Sequence, residues 1–355
     1  MKIIILFLSA AILTFASYAQ DLSKVLFDHS NTNYVKEIDH FNNKIYVLGK
    51  EDKADDKSTY CNSLTCLDYN LNQLYKLSFK NEKFSDLTVD HKGNICIVGF
   101  NENQSIFVKI KETLKTKKNT FDAFEKFTNI ESFQKGYVIV TSKGHSDNEL
   151  TSLIYLDSKG KVVWETESFL TAGNISLSVS DDNIYLLIQR PSPNNDEAIS
   201  NDLLCFNSLG EKEWEILVIK KDKENGSDSK LYMFTKCISG VYLVNRSKIS
   251  SSNESLTLMY VNDNGEKTVK FEKELIKLKE EKDTNFEDFA LIPRVHYKIN
   301  DTECLNIVIK LNSQKEPYCR GLLTDFEMFC FTEDEDYLIV AGKKGNNWVI
   351  RKFEK

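Results

Sequence analysis

Two dipeptides invite a chemical reading, Asp39-His40 and Asp90-His91, because a histidine beside a carboxylate is the beginning of a general base or a metal site. Their separation of 51 residues argues for a plainer role. It is close to the period of a structural repeat, so both are read as equivalent turn residues. His29, His145 and His296 stand alone. The carboxylate groups Asp55-Asp56, Asp181-Asp182 and Glu333 to Asp336 fall in predicted turns, where short acidic side chains serve the backbone. Neither a Gly-x-Ser-x-Gly elbow nor a Gly-x-x-x-x-Gly-Lys-Ser/Thr loop occurs, which removes the best-marked hydrolase and nucleotide readings. Asn262-Asp263-Asn264-Gly265 is a turn of the repeat rather than a calcium loop. Two carboxylates from distant parts of a chain can converge without any sequence trace, so a glycosidase-like acid and base remains open. No catalytic residue, cofactor-binding residue or metal ligand is assigned, and no cofactor is expected.

The elements that would position any site are set by a recurring phrase of turn, apolar run and loop. It appears as Ile45 to Gly49, Ile95 to Gly99, Tyr137 to Val140, Ile184 to Ile188, Val241 to Val244 and Tyr337 to Gly342, with a weaker copy at Cys304 to Ile309. An apolar run without alternation is a strand buried on both faces. A second phrase follows the first. Leu153 to Trp164 (LIYLDSKGKVVW) matches Leu203 to Trp214 (LLCFNSLGEKEW) in register. Leu258 to Gly265 continues it with Val269 at the Trp position, and Leu67 to Tyr75 degrades it, with Leu71 for Gly and Tyr75 for Trp. Asp or Asn opens a turn through its side chain, Gly supplies the positive φ, and the large residue four positions on packs between neighbouring sheets.

A period of roughly 40 to 50 residues marks the blades of a β-propeller. The expectation is an all-β chain with seven blades of four-stranded antiparallel sheets, about 48 residues each, and a seventh unit that is short between Leu305 and Tyr337. The ring closes when the N-terminal strand Ser23 to Phe27 pairs with Trp348 to Phe353, which removes open sheet edges. Two segments fit either a short helix or a distorted outer strand: Phe121, Phe124, Phe127, Ile130 and Phe133, and Phe271, Leu275 and Leu278.

Residues 1–19 read as a cleaved signal peptide: Lys2, an apolar stretch, then Ser17-Tyr18-Ala19 before Gln20. Residues 20–355 then form a single propeller domain, secreted or placed in the periplasm or at the cell surface. The net charge of −7 becomes −8 once Lys2 is lost, which argues against a nucleic-acid partner. Lys111 to Lys118 and Glu272 to Asp283 are read as solvated faces. Six Asn-x-Ser/Thr sequons, at Asn103, Asn174, Asn225, Asn245, Asn253 and Asn300, would matter only in a eukaryotic secretory host. Among the eight cysteines, Cys96, Cys205 and Cys237 are read as buried small hydrophobes, and Cys319 and Cys330 flank a possible hairpin turn at Thr324-Asp325 that would let them bridge. Cys61, Cys66 and Cys304 complete the set, with no C-x-x-C among them.

The order of apolar run, Gly, polar loop, a run such as Ile106 to Ile110, then Asp-x-x-Gly and Trp resembles the repeats of bacterial secreted seven-bladed propellers of the SBBP or delta-60 type. Its Gly-x-x-x-Trp portion is similar to the repeat of pyrroloquinoline-quinone propellers. Quinoprotein enzymes of that group carry eight blades, a vicinal Cys-Cys pair and a calcium-site Asp. The chain has no Cys-Cys dipeptide, and the resemblance carries no functional residue. The leader ending in Ala-Gln and the Asn/Lys/Ile-rich composition resemble secreted proteins of Bacteroidetes. Two functions follow as expectations. The first is a monomeric binding module with a protein or glycan ligand, engaged by irregular loops such as Gln189 to Asn201 (with Arg190, Pro191 and Pro193), Lys220 to Ser229 and Lys248 to Glu254. The second is a carbohydrate-active hydrolase or lyase with its site at the central channel.

Overall fold

The computed structural model describes residues 22–27, 34–51, 61–101, 104–121, 126–144, 149–173, 175–191, 199–220, 230–234, 240–248, 254–274, 282–283, 289–298, 304–311, 317–333 and 337–354. The expected signal segment, His29, Asp55-Asp56, His145, Pro193, Cys237, most of the sequons and most of the three long loops lie outside these. The described residues contain strands and turns and no helix.

Five blades follow one another along the chain, each a meander whose first strand faces a central channel. They are β2–β5 (Tyr34–Phe41, Lys44–Glu51, Cys61–Asp68, Gln73–Lys80) and β6–β9 (Lys83–Val89, Ile95–Phe100, Ser105–Ile110, Thr116–Phe121). The third comprises β10–β14 (Lys126–Phe133, Gly136–Lys143, Glu149–Leu156, Val162–Glu165, Phe169–Thr171), with its outer strand split in two. The fourth is β15–β18 (Ile175–Val179, Ile184–Pro191, Ile199–Phe206, Lys212–Lys220) and the fifth β19–β22 (Lys230–Phe234, Val241–Lys248, Glu254–Val261, Lys267–Glu274). The chain ends in a closing blade of β27–β29 (Glu327–Glu333, Tyr337–Lys344, Asn347–Glu354), and β1 (Leu22–Phe27) adds to it as the outer strand, with Ser23 opposite Arg351 and Val25 opposite Val349.

Between the fifth and closing blades lies a sheet of another build. Its antiparallel strands are β24 (Phe289–Lys298), β25 (Cys304–Leu311) and β26 (Pro317–Thr324), and its outer place is held by the two-residue β23 (Lys282–Asp283), which pairs parallel to β26. The expectation of seven regular blades is therefore corrected: six blades have the regular four-strand form. The chain passes from β26 straight into β27 with no room for a fourth antiparallel strand. The turn at Thr324-Asp325 thus joins two sheets instead of closing a hairpin. Cys319 pairs with Ile309 and Cys330 with Ala341, so the expected hairpin bridge is not formed. Cys61, Cys66, Cys96 and Cys205 are buried free thiols. Of the two segments of ambiguous spacing, Phe121 lies in β9, Phe127, Ile130 and Phe133 in β10 and Phe271 in β22, while Phe124, Leu275 and Leu278 lie outside the described residues.

The apolar runs are continuous because alternate residues serve two different seams. Ile45 and Val47 pack with Ile339, Ala341 and Ile350 of the closing blade, while Tyr46 and Leu48 pack with Phe84, Ile95 and Ile97 of the second. The same division recurs at the next three seams. Outer strands revert to alternation, as in β5, where every second residue is exposed. The Gly that ends several runs has a specific cause. The inner strand carries a bulge between Val35 and Glu37, Phe84 and Asp86, and Met328 and Cys330, and the residues facing the start of each bulge are Gly49, Gly99 and Gly342. A methyl group on Gly99 would lie 2.6 Å from the Phe84 Cα and meet the Lys83 carbonyl.

The Asp/Asn-x-x-Gly turns behave as the sequence demands. Asp157 Oδ1 accepts the amides of Lys159 and Lys161 at 2.8 and 2.9 Å, and Gly160 takes φ of 79°. Asn207 and Asn262 repeat the arrangement. In the degraded copy Asp68 does the same, and Leu71 adopts φ of 61°. Trp164 and Trp214 occupy equivalent places, half-buried rather than fully so. Each indole covers the Gly of the next blade's turn and donates Nε1–H to its backbone, at Ser208 O (3.1 Å) and Asp263 O (2.6 Å).

Deleting residues 22–27 opens the edge of β29 and uncovers the core against which Leu26 packs, and should lower the melting temperature by on the order of 10 °C. An unchanged melt in differential scanning calorimetry would show that β1 does not hold the ring. Gly99→Ala should cost about 1–3 kcal/mol by overpacking against backbone, read as a shift in the denaturant midpoint.

Candidate functional site: the central channel and the turn-face cleft

The inner strands leave a channel of about 530 Å³, lined from β2, β6, β10, β15, β19 and β27. The bulge sets its chemistry. In register after it come Glu37-Ile38-Asp39, Asp86-Leu87-Thr88, Asn129-Ile130-Glu131 and Cys330-Phe331-Thr332, in which the apolar middle residue packs in a seam, Cys330 packs in the seam with the first blade, and the polar positions border the channel. Four carboxylates, Glu37, Asp39, Asp86 and Glu131, converge there from three blades. This convergence has no sequence motif.

Two of these carboxylates stitch one blade to the next. Asp39 accepts the Val89 amide of the second blade at 2.7 Å as well as the adjacent His40 amide at 2.7 Å. Asp86 accepts the Ile130 amide of the third blade at 2.9 Å and the Leu87 amide at 2.8 Å. His40 Nδ1 meets the Thr332 hydroxyl of the closing blade at 2.6 Å, and the Lys36 ammonium donates to the Phe84 carbonyl. Burial pushes the Asp86 carboxyl up to about 7 against the pull of its two amide donors. Asp39 is raised by the same cause, and Glu131 stands well above the usual carboxylate range through burial and the neighbouring Asp86, Asp39 and Glu37. Burial, then Lys50, brings Lys36 down to about 8, opposed by Asp86. Of these groups, Asp86 and Lys36 are the ones brought close to neutral pH.

Asp39-His40 and Asp90-His91 are not equivalent. Asp39 and His40 lie within β2, ahead of a two-residue turn at Asn42 and Asn43, both with positive φ. Asp90 opens the turn between β6 and β7, and by the bulge register the counterpart of Asp39 is Thr88. Asp90 Oδ2 accepts Tyr137 Oη–H from the third blade at 2.6 Å and Lys109 Nζ at 3.1 Å, while Asn94 donates to both carboxylate oxygens. Burial would raise Asp90, but the hydrogen bonds from Tyr137, Asn94 and Lys109 outweigh it and hold the carboxyl well below its ordinary value. Beside this network is a second cavity of about 520 Å³ between the second and third blades, and the run Lys111 to Lys118, exposed as expected, supplies part of one wall.

Arg190 is in β16 and ion-paired with Asp202 and Glu215 at 2.8 and 2.6 Å, so its guanidinium is committed to the fourth blade. Pro191 also belongs to β16, and Ile199 to Asn201 belong to β17, so both ends of the expected loop are strand, and residues 192–198 lie outside the described residues. His296 lies in β24. Among the described residues no group of three or more His, Cys, Asp or Glu side chains is placed to hold a metal ion. No described helix is long and apolar enough to cross a membrane.

Sheets arranged around a channel and joined seam to seam define a β-propeller, and comparison with solved structures supports that class. The β-propeller domain of the Trilobed protease from Pyrococcus furiosus, described as having an open velcro topology, superposes with a TM-score of 0.54 at 15% identity over 92% of this chain and 97% of its own. Polysaccharide lyase Uly1 gives 0.58 at 7% identity over 92% and 91%. Acylaminoacyl peptidase of Pyrococcus horikoshii gives 0.53 at 13% identity over 88% of this chain, which spans about half (49%) of that enzyme. Such identities establish the fold alone. No protein-family model matches the sequence, and no curated protein does.

The channel carboxylates make stability fall as pH rises. A carboxyl whose folded value lies above its unfolded one contributes most below the unfolded value, near 4, and the contribution is lost as pH climbs towards about 7, the folded value for Asp86. Leu87 N–H donates to Asp86 Oδ1 and Ile130 N–H to Oδ2, so Asp86→Asn removes the charge and keeps an acceptor for one of the two amides. Its melting temperature should therefore vary less than that of wild type between pH 4.5 and pH 8, whatever the offset from the lost acceptor; a parallel pair of pH–melting curves would show that Asp86 is not the titrating group.

Proposed function

We propose that this protein is an exported binding propeller of the secreted SBBP-like kind, acting as a monomer outside the cytoplasm and presenting its turn face to a protein or glycan ligand. The observation that carries this reading is the commitment of the channel groups. Asp39 and Asp86 each accept two backbone amides, one from the neighbouring blade, so the polar residues converging on the channel serve its seams. Turns and loops on a rigid scaffold are the usual place for recognition.

A second reading, a carbohydrate-active hydrolase or lyase, is favoured by one observation: Asp86 and Glu131 line a single cavity, and burial holds both above the ordinary carboxylate range. That two polysaccharide lyases share the fold is in keeping with it. The mature protein should give saturable binding in a glycan array or pull-down without consuming the captured glycan. Turnover that Asp86→Asn abolishes would replace binding with catalysis.

A further inference from the structure

The chain carries a net charge of −7, yet seven lysines gather around the cavity between the second and third blades. Two are used internally. Lys109 bonds Asp90, Tyr137 and the Ser158 carbonyl, and Lys117 donates to the Lys159 carbonyl at 2.6 Å. The others, Lys92, Lys111, Lys115, Lys135 and Lys159, are exposed and make no ion pair with a described residue. They sit on four alternate turns, or their flanks, at one end of the strands: β6–β7, β8–β9, β10–β11 and β12–β13. The nearby carboxylates are already engaged, Asp90 by Tyr137, Lys109 and Asn94, Asp157 by the amides of Lys159 and Lys161, and Glu112 by Lys44 at 2.6 Å.

We propose that this cleft is the ligand site of the binding propeller and that its ligand is an acidic polysaccharide, bearing carboxylate or sulfate groups along an extended chain. The inference rests on the binding reading above. Five ammoniums spread over two blades match several separated anions better than one compact phosphate, which is served by convergent, forked donors. The methylene stems of the lysines give apolar walls on which C–H faces of sugar rings can lie while the charged ends reach outward. Tyr137 and His91 are the ring-bearing residues of the lining, and the Tyr137 hydroxyl is held by Asp90, so there is no row of exposed rings on which nucleic-acid bases could stack. The cavity's volume lies within the usual range for ligand pockets.

The test is titration of the mature protein with heparin and with polygalacturonate, repeated for Lys92→Glu/Lys135→Glu and for Lys80→Glu, an exposed charge reversal on the first blade. Binding to at least one polyanion should weaken tenfold or more in the double variant, remain in Lys80→Glu, and fall steeply with added salt, because exposed charges are screened. All three proteins should melt alike. Equal affinity for poly-glutamate, or full displacement by inorganic sulfate at matched charge, would overturn the polysaccharide assignment. If a ligand from the glycan array binds both variants as it binds wild type, the cleft inference falls and the binding reading stands. If the mature protein captures nothing, both fall.

Discussion

A sheet that is apolar on both faces cannot cover itself, and this constraint orders the whole molecule. The second strand of each regular blade is a run such as Tyr137 to Val140 in which neighbouring residues point into opposite seams. Neither seam is complete until another blade arrives, so a blade on its own leaves both of its apolar faces wet. The same need explains the use of β1. Without it, β29 would present an unpaired edge.

Polar groups at the seams are arranged to the same end, with different costs at different radii. At the periphery, the Trp164 and Trp214 indoles sit on the next blade's turn and donate to its carbonyls where water is near, so little is lost if a bond lengthens. At the axis, Asp39 and Asp86 perform the stitching in a confined channel, where a buried carboxylate is costly. Amide donors offset part of that cost, and burial still holds the Asp86 carboxyl above its ordinary value. Asp90 is the opposite balance: a hydroxyl, an ammonium and an amide surround its carboxylate, and the charge is favoured. Acid therefore weakens the Asp90 cluster while relieving the channel, and the two titrations oppose each other.

How much of this was legible in the sequence depended on whether local chemistry alone dictates it. The turns at Asp157, Asn207 and Asn262 were legible because a side-chain acceptor and a glycine at fixed offset suffice to form them. The buried runs and the pairing of β1 with β29 were legible for a similar reason, since composition marks a two-faced strand and an unmatched one. The inner strands were not. β2 ends in a two-residue turn at Asn42-Asn43 and β6 in the longer turn Asp90 to Asn94, so spacing alone paired Asp39-His40 with Asp90-His91, although Asp39 lies in the channel and Asp90 in a turn. The sheet before the closing blade was legible only as a short unit. That its outer place is taken by the parallel β23, and that Thr324-Asp325 joins two sheets, follows from tertiary pairing that no local signal announces.

The division between constrained and unconstrained positions also bears on where recognition can arise. Within an Asp-x-x-Gly turn the first and last residues are fixed by the side-chain acceptor and by positive φ, while the two between them point outward with no structural duty. In the turns that border the second and third blades those free places hold Lys92 and Lys159, and the flanking positions hold Lys111, Lys115 and Lys135. A residue type that recurs where the fold demands nothing, in a chain of opposite net charge, is not explained by packing, turn geometry or seam hydrogen bonds. The scaffold fixes the distance between successive turn tips, and that spacing, more than any single lysine, would set which pattern of negative charge the cleft can match.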